Sequence, residues 1–180
     1  SMMPDEQARL EERAIYAHPA EILHLIADPK LTVELIDVRS ETDYNFFHIL
    51  DSVHVPLADI EAYSDDLLLR ANISTVFIVL SNDEAAATQA WQILTAESVP
   101  NVYVMEGGVN NWLTTFSDAE FQELYSVANV PDDTLAYSLP SAMGSRYAAA
   151  NPNPDVFAGI DFEEKVELQT KGGPASGGCG

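Results

Sequence analysis

The chain predicts an α/β domain: a central parallel sheet with helices on both faces, plus an irregular C-terminal extension. Three observations point there. "TVFIVL", residues 75–80, is a continuous apolar run, the pattern of a parallel strand covered on both sides. Runs rich in β-branched residues alternate along the chain with stretches of helical period. Beyond residue 130 that order gives way to scattered Pro, Gly, Asn and Ser with little periodicity. The 180 residues suffice for one domain with a real core, and a hydrophobic content of 47% suits a globular chain.

Each element follows from local pattern. Residues 5–16 are charged and read as an exposed helical arm. In "HPAEILHLIADP", Pro19 suits a first helical turn and Glu21 suits the positive end of the helix dipole. Ile22, Leu25 and Ile26 share one face there. "LTVELIDV", 31–38, is a strand, "SETDYNFF" a turn or short helix, and "SVHVPL", 52–57, a short strand ended by Pro56. "DIEAYSDDLLLR" is helical. After the 75–80 strand, "EAAATQAWQILTAES", 84–98, is the clearest helix. Ala87, Ala90, Trp91 and Leu94 form its stripe, with Ala86 and Ile93 beside it. "NVYVM" is a strand, "GGVNNWLTTF" turns into a helix, and "DAEFQELYSVA" adds another. The organisation is an arm at 1–17, the α/β domain at 18–130, and an extended, partly flexible tail at 131–180 that wraps the domain or a partner. Within the tail "KVELQ" reads as a short strand, and "GGPASGGCG" has a flexible-linker composition. There are no internal repeats.

Charge narrows the function. There are 29 acids against 8 bases, a formal net charge of −21. Nucleic acids and anionic membrane surfaces are polyanions, so neither is an expected partner. The one cysteine, Cys179, excludes an internal disulfide, and the polar start lacks a signal-peptide apolar region. Ser1 before two Met residues looks like a cloning remnant. No segment is long and apolar enough to span a bilayer, and a cytoplasmic location is expected.

Four stretches in order resemble the rhodanese-like domain family, across residues 18 to 114. They are "ELIDVRSETDY" with Asp37, Val38, Arg39 and Tyr44; "FHILDSVHVPL"; the strand and helix at 75–98; and "NVYVMEGGVNNW" with Glu106, Gly107, Gly108 and Trp112. The resemblance implies a doubly wound, three-layer domain with an active-site loop directly after the central strand. In working members that strand ends in Cys and the loop reads Cys-x-x-Gly-x-Arg. The thiolate takes a sulfane sulfur from a donor such as thiosulfate, becomes a persulfide, and passes the sulfur on. Loop N–H groups, the helix N-terminus and the Arg stabilise the thiolate and hold the donor.

On that resemblance the Cys position falls on Ser81, the Gly on Glu84 and the Arg on Ala86. The loop is Ser81, Asn82, Asp83, Glu84, Ala85, Ala86. A hydroxyl forms no persulfide and is a poor nucleophile without a base. Asp83 and Glu84, placed in the cup, would repel oxyanions, since like charges ~4 Å apart at a protein surface cost about 4 kcal/mol. "SNDE" also fits a capping box, Ser81 at the N-cap and Glu84 three residues on. The phosphatase relatives use a longer Cys loop ending in Arg, which this loop also lacks.

Other residues read as structural. Arg39 is expected to pair with the acids of "SETD". His48 and His54 lack a nearby Cys and read poorly as a metal site; no metal or cofactor is expected. Phe47 stands where the family has Gly, which puts the local turn geometry in question, and Trp112 reads as core. Cys179 reads as a passive thiol. Its alternative is a mobile sulfur carrier on a tail whose reach, about 30 Å, exceeds the domain radius of about 13 Å. Ser81 as a hydrolase nucleophile lacks the elbow glycines and an assignable base. The expectation is a catalytically inactive binding or regulatory module in sulfur-related metabolism whose partner is another protein. The enzyme-class alternative is sulfur relay through Cys179.

Overall fold

The computed structural model describes residues 2–140 and 146–168. The elements run α1 Pro4–Glu11, β1 Tyr16–Ala17, α2 Pro19–Ala27, β2 Thr32–Asp37, α3 Glu41–Phe46, β3 Val53–His54 and a 3-10 turn at Leu57–Asp59. They continue with α4 Ile60–Arg70, β4 Thr75–Leu80, α5 Ala85–Ala96, β5 Val102–Met105, α6 Gly108–Phe116, α7 Ala119–Tyr125 and a 3-10 turn at Ala148–Ala150. The sheet order is β1-β5-β4-β2-β3, with every neighbouring pair parallel.

β4 takes the centre because it is apolar on both sides, and all six of its residues are buried. Its side chains alternate between faces. Val76, Ile78 and Leu80 enter the layer holding Ile22 of α2 and Trp112 of α6. Phe77 and Val79 enter the opposite layer with Leu67 of α4 and Trp91 of α5. Burying one such aliphatic or Phe side chain is worth about 1.5–3 kcal/mol. The α5 stripe is as expected: Ala87, Ala90, Trp91 and Leu94 are its buried residues. Both indoles donate to backbone carbonyls, Trp91 Nε1 to Val102 at 3.0 Å and Trp112 Nε1 to Ala149 at 2.6 Å.

The N-terminal arm departs from expectation. α1 buries none of its residues, yet Met2 and Leu10 lie against the α5 layer. Residues 15–17 are core, with Ile15 and Ala17 fully buried and β1 paired to β5. Two strand residues carry no readable period, so β1 was not visible beforehand. The described tail packs on the domain: Leu135, Tyr137, Leu139, Phe157, Val166 and Leu168 join the α2–α6 layer. No strand forms over residues 165–168. This stretch is held instead by side chains from the domain. Glu21 sits in the first turn of α2 as expected, but its carboxylate is 2% exposed and serves the tail. It accepts from the Lys165 N–H at 3.0 and 3.1 Å and from the Val166 N–H at 3.0 Å. The Tyr103 hydroxyl donates to the Glu167 carbonyl and accepts its N–H, both at 3.0 Å.

Among the described residues no helix is long and apolar enough to cross a membrane.

Glu21→Ala leaves two tail amides without their acceptor, and hydrogen bonds to charged groups are worth about 1.5–3 kcal/mol. Urea unfolding should show a loss of about 2–3 kcal/mol. Hydrogen exchange at Val166 should quicken far more than at the β4 amides. Glu21→Gln, which keeps one acceptor oxygen, should lose less.

Candidate functional site

The turn between β4 and α5 is shaped by where its carbonyls go. The Val109 N–H donates to the Ser81 carbonyl at 2.9 Å and the Asn110 N–H to the Asn82 carbonyl at 3.0 Å. The first turn of α6 therefore holds the turn by its oxygens. Gly107 and Gly108 both have positive φ, 69° and 61°. A Cβ on Gly108 would collide with the carbonyl oxygens of Ser81, Asn82 and Asp83. Only glycine permits this approach at 108, and at 107 a Cβ would meet Asn111 on a backbone of positive φ, which together account for the Gly pair in "NVYVMEGGVNNW".

With the carbonyls bound on one side, the turn's amides gather on the other. The Asp83 N–H donates to Asp133 Oδ1 at 2.6 Å and the Ala86 N–H to Asp133 Oδ2 at 2.8 Å. The Ala87 N–H goes to Ser81 Oγ at 3.2 Å. The cup at the N-terminus of α5 thus holds a carboxylate of the chain's own tail, placed where the dipole and open amides favour an anion.

The expected capping box does not form. α5 begins at Ala85, with Glu84 at the N-cap making no side-chain cap. Ser81 lies further back and its hydroxyl reaches the Ala87 amide instead. Glu84 has better partners elsewhere. Arg13 Nη2 donates to both its oxygens, at 3.0 and 2.8 Å, and the Gly107 N–H donates to Oε2 at 2.9 Å. The hydrogen bond to Glu84 raises the Arg13 pKa above its ordinary value. Arg13 also stacks over the Tyr16 ring, 4.1 Å from the centroid.

The expected placement of both carboxylates in the cup is corrected for Glu84, whereas Asp83 stays beside the Asp133 segment. Glu84 is neutralised outside the cup. Asp83 accepts from Asn110 Nδ2 at 2.9 Å and from the Asp133 N–H at 2.8 Å. Asn82 is nearly buried, donates to Asp43 Oδ2 at 2.9 Å and to the Asp133 carbonyl at 3.2 Å, and accepts from Arg39 at 3.3 Å. Ala85 and Ala86 open α5, and Ala86 supplies a cup amide. Cys179 lies outside the described residues.

Arg39 does not pair with "SETD". Its Nε and Nη2 grip the Asp37 carboxylate at 2.9 and 2.7 Å, and Nη2 also donates to the Phe47 carbonyl at 2.6 Å. Asp37 is fully buried and Arg39 is 4% exposed, so this pair ties the end of β2 to the segment after α3. Phe47 needs no glycine, because its φ of −158° is extended backbone. His48 and His54 stack on the two faces of Tyr44, at 4.1 and 4.5 Å. His18 caps α2 through the Ala20 N–H, and His24 meets Phe162 edge-on. All four histidines are thus engaged with other groups, and none is hydrogen-bonded to the Ser81 hydroxyl.

The residues missed from sequence are Asp133, Asn110 and Arg13. Their signal is three-dimensional, since Asp133 lies 50 residues from the amide it meets. A cleft of about 690 Å³ beside Arg9, Tyr103 and Lys165 lies where β5 starts, at the opposite end of the parallel sheet, and brings none of these groups together.

The chain matches the family model described as Rhodanese-like domain over residues 18–115. No curated protein matches it. Among solved structures it is similar to a rhodanese-like domain protein from Staphylococcus aureus, at 18% identity and TM-score 0.45, covering 54% of this chain and 89% of that one. It is also similar to a full-length protein from Lactobacillus plantarum, at 14% identity and TM-score 0.49, covering 62% and 93%. A third is a Saccharomyces cerevisiae homolog of single-domain rhodanese and Cdc25 phosphatase catalytic domain, at 21% identity and TM-score 0.48, covering 58% and 83%. With more than half of its length matched by that family model, the chain belongs to the rhodanese-like domain family.

Proposed function

We propose that this rhodanese-like domain does not transfer sulfur and serves as a binding or regulatory module for another protein in sulfur-related metabolism. The observation that supports this reading is the filling of the cup. A carboxylate from Asp133 takes the Asp83 and Ala86 amides beside a buried serine. Transfer needs a thiolate at the strand tip to attack the donor's outer sulfur and expel sulfite. Ser81 offers a hydroxyl already engaged by the Ala87 amide. A thiosulfate dianion would have to displace Asp133 and then face Asp83, with like charges ~4 Å apart costing about 4 kcal/mol at a protein surface. The proposed setting is the cytoplasm, on the strength of an acidic composition with one cysteine and no possible internal disulfide.

Assayed with thiosulfate and cyanide, the chain should form no thiocyanate above the uncatalysed rate. Turnover that survives Cys179→Ala would overturn the reading. Ser81→Cys alone should also stay inactive, because the carboxylate still fills the cup. Recovery of turnover in that variant would mean that donor displaces Asp133 readily, and the proposed barrier would fall.

A further inference from the structure

We infer that the cup is still a working receptor, and that its ligand class is the aspartate of a turn-forming peptide segment, supplied in cis by residues 132–137 and exchangeable with the same motif in trans. The inference deepens the binding-module reading above and rests on it.

The contacts are those of peptide recognition. Asp83 and Asp133 form a reciprocal pair: the Asp83 N–H meets the Asp133 carboxylate at 2.6 Å, and the Asp133 N–H meets the Asp83 carboxylate at 2.8 Å. Side chains of the domain read the next main-chain groups in order. Asn82 Nδ2 donates to the Asp133 carbonyl at 3.2 Å, and Asn110 Nδ2 to the Thr134 carbonyl at 2.8 Å. Asn110 Oδ1 accepts the Ala136 N–H at 2.8 Å, and Thr114 Oγ1 meets the Tyr137 hydroxyl at 2.8 Å. Apolar Leu135, Ala136 and Tyr137 pack on the α2–α6 layer. The segment thus provides a charged anchor, a read backbone and apolar side chains.

The same geometry selects a peptide over a free oxyanion. An inorganic anion can take the two cup amides but has no N–H to offer Asp83. Its charge would then sit beside an Asp83 carboxylate that has lost one of its two donors and keeps Asn110 Nδ2. An aspartate within a chain brings both the acceptor for the Asp83 amide and the donor for the Asp83 side chain. Asp133 also adopts a positive φ of 52°, which aspartate tolerates better than most residues. A cis segment faces the cup at an effective concentration in the mM range, so a trans peptide binds well only when the cis anchor is cut.

Asp133→Gly cuts the anchor, keeps the backbone conformation open to glycine, and leaves space for acetate. Acetate titrated into this variant at constant ionic strength, against chloride, should raise its melting temperature. At about ten times the dissociation constant the rise should be about 3–6 °C, with amide NMR shifts centred on Asp83 and Ala86. The wild-type chain should not respond. Should the variant be unfolded in chloride, the same titration is read as recovery of the folded circular dichroism signal. A peptide of residues 130–138 should bind Asp133→Gly at least tenfold more tightly than it binds wild type. The peptide with Asn in place of its second Asp should lose at least tenfold. No acetate response, equal response of the wild type, or equal binding of the two peptides would each overturn the inference. These readouts do not involve sulfur transfer, so they can fail while the chain stays inactive, or succeed in a chain that turns out to have activity.

Discussion

Two amides at the start of α5 set the terms for much of this molecule. The first N–H groups of a helix, and those of the turn leading into it, have no partner within it, and where the turn is partly buried they must find an acceptor. Here the carbonyl side of the same turn is already fixed by α6, through the close approach that Gly108 allows. The amides of Asp83 and Ala86 therefore point at one small volume whatever fills it. A relative that binds an anionic donor can leave that volume to solvent and substrate. This chain fills it with Asp133, and the path of the tail from residue 131 to 137 follows from that contact. Asn110 turns to the tail backbone, and Asp83 finds a donor that no free ion could offer.

The tail illustrates how an irregular segment becomes ordered without secondary structure. Over residues 165–168 it has no strand, so its amides cannot be satisfied by a ladder. Glu21 and Tyr103 accept them instead. At 132–136 Asp83 and Asn110 do the same. In each case a side chain on the rigid domain reads tail backbone, while apolar residues such as Leu139 and Val166 supply burial on the α2–α6 layer. Both anchor sets include carboxylates accepting N–H bonds. Part of the strongly acidic composition thus acts as hydrogen-bond acceptor for chain that would otherwise lack one.

What could be read beforehand was what depends on local period. β4 reads as a two-faced strand because six consecutive apolar residues admit little else, and the α5 stripe matches residue by residue. What could not be read depends on competition between partners. "SNDE" is a fair capping box taken alone, but Glu84 gains a guanidinium and the Gly107 amide by turning away. Arg39 had acids on both sides in sequence, and the fully buried Asp37 won because the pair lies where β2 ends and water is excluded. β1 is two residues long, shorter than any period. Asp133 sits in a stretch with no pattern, and its partner lies 50 residues away. The family resemblance located the loop, but it could not say what would occupy it.

The substitutions in the loop and the carboxylate in the cup are best understood as one change. A helix N-terminus offers roughly half an elementary positive charge within its first turn. In a sulfur-transferring relative that potential and the loop Arg stabilise a thiolate at the strand tip. Here the turn from Ser81 to Ala86 contains no Arg, and the anion its amides hold is Asp133. A thiolate at position 81 would share the turn with a full carboxylate, while Arg13 and Arg39 are committed to Glu84, Asp37 and Asn82, and a nearby like charge raises a thiol pKa rather than lowering it. A neutral hydroxyl that accepts the Ala87 amide is the compatible occupant. A serine hydroxyl is therefore compatible with a turn whose amides the tail carboxylate has taken.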